Sequence, residues 1–354
     1  MIPGLSAGSM LFPDKPLVLD LTRLLPGPYG TCLMAEAGME VLKVESLEHG
    51  DALRTLTAVG EEEESLAYRL LNGKKRLVNL DLRDSADAAR FLDLVDKADV
   101  LVENFRPGVM EKMGLGYESL RERNPQLVYL SLGGYLGSPE RAGRAGHDLN
   151  FLAHSGILDN TGEDGPEILG APVADLVAGV ALLGLAASAL YRRSVQGEGM
   201  YLRLGIDELM RNWGAVTGAM LGVHEHLPAR GNSVLTGAIV CYQVYEAKDG
   251  HVALGALEPK FWRNLVEAIG MPDLVHSQFD TASAGNPTYD AIAGYFATRE
   301  LADIEDELGG VDCCLTPVRR LDEVMREEVV GGEANPELRP FFQTSSRYAE
   351  GGDE

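Results

Sequence analysis

Along the first 135 residues, short apolar runs alternate with amphipathic stretches, a pattern that predicts strands separated by helices. Residues 17–20 (LVLD) form a first apolar run, the Pro-Gly-Pro at 26–28 breaks the chain, and 29–37 reads as helix. Residues 39–45 alternate with period two, as a half-buried strand does, and 76–82 (RLVNLDL) make a third strand. Ser85 is the predicted cap of a helix whose Ala89, Phe91, Leu92, Leu94 and Val95 fall on one broad face. Residues 100–102 and 127–130 are further strands with helix between them. Strand and helix in alternation imply a parallel sheet covered on both faces.

The middle of the chain reads differently. A long helix is expected over 173–193, then QGEG and a second helix over 206–221. Residues 222–236 are polar and turn-rich, as a linker is. From Ala238 a hairpin follows with Asp249-Gly250 as its turn. Helices are expected over 259–269 and 289–308. With 354 residues and about 150 per domain, roughly two domains are expected. The reading is a large α/β domain over 1–222, a small α+β domain over 223–320, and a segment over 321–354 that returns to the large one.

Composition narrows the function. With 31 Lys plus Arg against 54 Asp plus Glu, the net charge is −23, and such a mean field repels nucleic acid and anionic membrane. An anionic ligand must then meet a local cluster of basic residues. Cys32, Cys241, Cys313 and Cys314 show no CxxC spacing and read as reduced, mainly structural thiols. The N-terminus lacks the pattern of a signal peptide. The apolar run 176–191 is short for a bilayer and is followed by Arg192 and Arg193, so it reads as a buried helix. A cytoplasmic protein is expected.

Nucleotide fingerprints and a GxSxG elbow are missing. His224 and His226 share a face only on a strand, and no third metal ligand is in view; solvated linker histidines are the simpler reading. Three places are more informative. Lys43, Lys74-Lys75-Arg76 and the run Glu103-Asn104-Phe105-Arg106-Pro107-Gly108 lie near predicted strand ends, where ligands of open α/β sheets sit. An Arg beside a flat aromatic can hold an adenine and a phosphate together, although each charge alone could simply be solvated. Gly146-His147-Asp148 precedes Asp175 by 28 residues, and Asp175 falls in the first turn of the most apolar helix, as acid or as helix cap. Glu258 stands before the helix that starts at Pro259, where an N-terminal acid needs no other role.

Three blocks in order carry a resemblance: LVLDLTRLLPGPYGTCLMAEAGMEVLKVESLEHGDALR, NGKKRLVNLDLR and ADVLVENFRPGVMEKMGLGYESL. They resemble class III CoA-transferases over essentially the whole chain. Such a resemblance implies a Rossmann-like large domain with a smaller domain, an interlaced homodimer, an acyl-CoA substrate and no cofactor beyond its CoA moiety. AGHDLNFLAHSGIL, PVADLVAG and GALEPKFW resemble the α-methylacyl-CoA racemase branch, to which the compact length also points. By that resemblance His147 and Asp175 are the two proton-transfer residues, Glu258 orients His147, and Asp148 is a supporting acid. It further implies CoA contacts from Arg23, Lys43, Lys74, Lys75, Arg76, Asn104, Phe105, Arg106 and Lys112. In the transferase branch the matching aspartate is a nucleophile and a Gly-rich loop covers the site; that loop is not found here.

The implied chemistry is 1,1-proton transfer at the carbon α to a thioester, within lipid metabolism. It needs a base, an acid on the opposite face and donors for the enolate oxygen, for which the N-terminus of the 173–193 helix is the candidate. CoA transfer through an Asp175 mixed anhydride is the alternative. This chain departs from the family pattern at Ser46 and at Arg203, where relatives carry an acid. Met210, Met220 and Met200 are candidates for an acyl-binding surface or for plain core.

Overall fold

A computed structural model describes residues 11–339 apart from 13, 47, 49, 57–63, 163, 221–229, 231–232 and 331–336. Contacts divide the chain into two compact units: Met1–His154 with Gly170–Arg211 and Arg326–Glu354, and Ser155–Leu169 with Asn212–Met325. The division thus falls inside the second long helix, eleven residues before the 222/223 boundary read from the sequence, and it assigns 155–169 to the second unit.

The first unit is built on six parallel strands, β1 (Leu17–Asp20), β2 (Glu40–Glu45), β3 (Arg76–Asn79), β4 (Val100–Glu103), β5 (Val128–Gly133) and β6 (Met200–Gly205). Their order is β3-β2-β1-β4-β5-β6. The central strands β1 and β4 are buried nearly throughout, as near-continuous apolar runs must be when helices cover both faces. Strand β6, which the sequence reading passed over, pairs with β5 from Val128↔Met200 to Gly133↔Gly205 and closes one edge.

In chain order the helices are α1 (Pro26–Glu36), α2 (Leu53–Leu56), α3 (Leu66–Asn72), α4 (Ser85–Val95), α5 (Val109–Lys112), α6 (Tyr117–Arg123), α7 (Asp148–Ser155), α8 (Val173–Gln196) and α9 (Ile206–Met220). Helix α1 begins at Pro26, before the expected start, because proline is tolerated in a first turn whose N–H groups have no partner. The cap of α4 is Asp84, which accepts from the N–H groups of Ala86 and Asp87; Ser85 is already the first helical residue. Helix α8 packs on α1 with backbones nearly touching: a Cβ at Gly30 would lie 2.9 Å from the carbonyl oxygen of Gly179. Its other side is not buried in the single chain, since Val180, Tyr191 and Val195 are exposed, so the expectation of a buried helix holds for one face.

The second unit carries the antiparallel sheet β7-β8-β9, with β7 (Tyr242–Glu246), β8 (His251–Gly255) and β9 (Leu315–Pro317). Helices α10 (Pro259–Ala268), α11 (Pro287–Ala297) and α12 (Leu301–Leu308) cover it around Trp262, Tyr245 and Phe296. The single helix expected over 289–308 is two, because Glu300 forms a capping box with Asp303 and restarts the helix. After α13 (Leu321–Glu328), the short pair β10 (Val329–Val330) and β11 (Glu337–Leu338) belongs to the first unit.

Candidate active site

Strand order reverses between β1 and β4, and in an open parallel sheet this reversal opens a crevice at the carboxyl ends of the strands. The loops leaving the two strands are tied across it. The Arg23 N–H donates to Asn104 Oδ1 at 3.0 Å, and Asn104 Nδ2 donates back to the Arg23 carbonyl at 2.9 Å. Leu24 follows in the left-handed region at φ 66°, held by its N–H bond to Asp51 Oδ1 at 2.9 Å. A branched residue there costs about 1–3 kcal/mol and marks a loop whose shape is imposed from outside.

A cavity of about 160 Å³ occupies this crevice, and Arg23, Leu24, Asn104, Gly133, Gly134, His147, Phe151 and Asp175 are among its walls. His147 and Asp175, far apart in sequence, therefore face one small volume. His147 immediately precedes α7, and its backbone N–H is satisfied by Asn150 Oδ1 at 3.0 Å. Gly146 and Gly134 let the loops close on the aromatic wall: a Cβ at Gly146 would lie 2.8 Å from the Tyr135 ring, and one at Gly134 2.9 Å from Phe151.

Asp148 has a clear task. Its Oδ1 accepts from the N–H of Ala174 at 2.6 Å and of Asp175 at 3.2 Å, capping α8 from α7. The Val173 N–H goes to the Ala171 carbonyl and the Leu176 N–H to that of Pro172. All four first-turn donors of α8 are thus bonded, which corrects the expectation that this terminus supplies open oxyanion donors. The half-buried carboxyl of Asp175 is pushed up to about 7, first by burial and then by the Asp148 charge. An Asp148→Asn variant keeps the accepting oxygen and removes the charge. The titration midpoint of the Asp175 carboxyl, followed by 13C NMR, should then move below 7 while burial keeps it above the usual 3.8.

Of the further cavities in the same unit, two bear on the expected CoA contacts. One of about 430 Å³ has Lys43, Arg54, Arg69 and Lys75 in its walls, with Glu64 and Glu337. Lys43 and Lys75 are not solvated lysines: both are buried. The Lys43 ammonium donates to the Thr22 carbonyl and lies 3.4 Å from Asp51 Oδ2. That of Lys75 is within 3.0 Å of oxygens on Asp20, Pro28, Thr31 and Asn72. Their charges are held inside the protein, contrary to the expectation that they stand ready for a phosphate. Lys74 pairs with Glu36 and the exposed Arg76 with Glu40. The other cavity, about 280 Å³, includes Glu103, Phe105, Arg106, Tyr201 and Arg203 in its walls. Arg106 and Lys112 are exposed. The cation over the Phe105 ring is not the adjacent Arg106 but Arg23, 5.2 Å from the ring centroid.

The sequence pattern of CoA-transferase family III matches residues 16–333. The chain belongs to that family. It is 38% identical over 281 residues to a succinyl-CoA:mesaconate CoA-transferase of Haloarcula hispanica, spanning 76% of this chain and 70% of that one. To the alpha-methylacyl-CoA racemase of Homo sapiens it is 33% identical over 321 residues, spanning 88% and 78%. Among solved structures, a CAIB/BAIF family protein from Brucella suis matches with a TM-score of 0.78 at 28% identity, over 94% of this chain and 92% of that one. Family III enzymes act on acyl-CoA substrates.

Within the family III frame, other expected residues find their places. Glu258 belongs to the second unit, exposed at the N-cap of α10 with no side-chain capping bond. Met210 is fully buried core and leaves the acyl-surface reading, whereas Met220 is exposed and Met200 partly so. Arg203 is exposed on β6 in the wall of the third cavity, and Ser46 is partly buried just after β2. Cys32, Cys241 and Cys313 are buried, but Cys314 is exposed. Among the described residues no cluster of three metal-binding side chains occurs; His224 and His226 lie outside them. Sequence reasoning missed Leu24 and the buried Asp20, Thr31 and Asp51, because nothing in a sequence separates a buried acid from a solvated one.

Proposed function

We propose that the protein is an acyl-CoA racemase or epimerase that inverts the α-carbon of a 2-methylacyl-CoA thioester. The observation that carries this reading is the sharing of one small cavity by an imidazole, His147, and a carboxyl pushed up to about 7, Asp175. A group with that pKa is populated in both protonation states near neutrality, so it serves as base in one direction and as acid in the other at little cost. One residue takes the α-proton, the electron pair moves to the thioester oxygen, and the other residue returns a proton to the opposite face. Arg23, in the cavity wall, supplies positive charge toward the developing enolate, the role that α8 cannot fill while its donors are bonded.

Transfer of CoA between carboxylic acids, with Asp175 as nucleophile, is the competing reading, favoured by the higher identity of the mesaconate transferase. Racemization is favoured by the longer span of the racemase alignment and by the paired acid–base groups. The deciding experiment incubates the enzyme with single-epimer 2-methylacyl-CoA in deuterated water. Deuterium at the α-carbon with loss of optical purity is the expected result. No exchange, but movement of CoA to an added free acid together with a covalent acyl adduct on Asp175, would overturn it.

A further inference from the structure

A polar chain, buried at Asp207 and Ser138 and partly buried at His154, stands behind the active-site cavity and takes no part in the proton transfer itself. Asp207, in the first turn of α9, is fully buried. Its Oδ1 accepts from the N–H groups of Leu136 and Gly137 at 3.1 and 3.3 Å, and its own N–H donates to the Gly134 carbonyl at 3.0 Å. Its Oδ2 accepts from Ser138 Oγ at 2.7 Å, and Ser138 Oγ lies 3.1 Å from His154 Nε2. Asp207 thus fixes the loop after β5, whose Gly134, with Gly133 at the strand end, lines the cavity, and Ser138 links that loop to the last turn of α7.

The proton count sets the direction of the chain. A serine hydroxyl has one proton, and the Asp207 carboxylate can only accept. Ser138 therefore donates to Asp207 and accepts from His154, so His154 must carry its proton on Nε2. Helix α7 is then pinned at both ends, through Asp148 to α8 and through His154 to the β5 loop. His147, Phe151 and His154 stand at i, i+4 and i+7, along one side of this element.

The geometry points to His154 as a positioning residue that, through Ser138 and Asp207, sets the place of His147 opposite Asp175. This inference rests on the reading of His147 and Asp175 as the reacting pair. Displacing a catalytic group by about an ångström can cost 10²-fold in rate. His154→Leu removes the donor at similar volume, whereas His154→Gln places an amide N–H close to the position of Nε2. Racemization by His154→Leu should show kcat reduced about 10–100-fold with KM within twofold, and His154→Gln should restore kcat to within about threefold. Equal kcat in the two variants, whether low or unchanged, overturns the inference.

A second readout is independent of activity and of whether the leucine variant folds. In the wild-type protein the 15N resonance of His154 Nε2 should show a directly bonded proton, which Ser138→Ala releases to exchange faster with water. An unprotonated Nε2 refutes the chain even if the enzyme is a racemase. Failure of wild-type racemization with a protonated Nε2 refutes the functional reading and leaves the His154–Ser138–Asp207 link standing. The Leu and Gln variants are then compared in CoA transfer, where equal rates overturn the positioning role.

Discussion

Replacing Asp175 by asparagine should lower racemization by about 10²–10⁴-fold, because an amide neither accepts the α-proton nor returns one. His147→Ala should lose racemization to a similar extent but in a distinguishable way. The surviving group can still take the proton from the epimer whose C–H faces it, exchange with solvent and return deuterium to the same face. Each variant should therefore label one epimer without inverting it, and the two should label opposite epimers. Deuterium incorporation measured by mass spectrometry, with optical purity beside it, reads both. Labelling of the same epimer by both variants would place the two groups on one face and end the two-base scheme.

The same carboxyl ties activity to stability. Burial first and the Asp148 charge second push Asp175 from 3.8 up to about 7, so the folded protein binds that proton more tightly than the unfolded chain. Its favourable contribution is complete below 3.8 and is lost as pH rises through about 7. Asp175→Asn should consequently melt higher than wild type at pH 8, with the gap closing toward pH 4. On the proposed reading, a buried acid that costs stability is kept for its chemistry.

Much of the fold is legible in the amino-acid sequence. Apolar runs located five of the six parallel strands, and the blocks around His147, Asp175 and Asn104 pointed to the crevice that their side chains line. What stayed hidden has physical causes. MYLRLG alternates as an edge strand does, yet it is short and follows Gly-Glu-Gly, which reads as a turn. The break at Glu300 depends on a reciprocal cap and not on a proline or glycine. The basic run between α3 and β3 illustrates the largest gap: Lys74, Lys75 and Arg76 are adjacent, but only Lys75 is buried, because it alone meets the acid at the end of β1.

That contact carries the second large effect. Lys75→Met should destabilise the protein by about 3–5 kcal/mol, the usual consequence of leaving a buried charge without its partner. Burial pushes the Asp20 carboxyl up, but Lys75, Lys43 and the hydroxyls of Thr22 and Thr31 outweigh it and hold it well below the usual range. Its contribution to stability is therefore present above 3.8 and lost as pH falls below that value. Removing Lys75 weakens the set that keeps Asp20 ionised, so the acid limb of unfolding should move to higher pH. Asp20→Asn combined with Lys75→Met should be less damaging than Lys75→Met alone, since no orphaned charge remains. The loop that follows Asp20 carries Arg23 and Leu24 into the wall of the candidate-site cavity, so the ion pair also supports that wall. A lysine serving chiefly to bind the phosphates of CoA would behave differently: Lys75→Met would weaken CoA binding and leave the urea midpoint where it was. Measuring both quantities on one variant separates the two roles, and the four oxygens already around Nζ predict that stability is the one that falls.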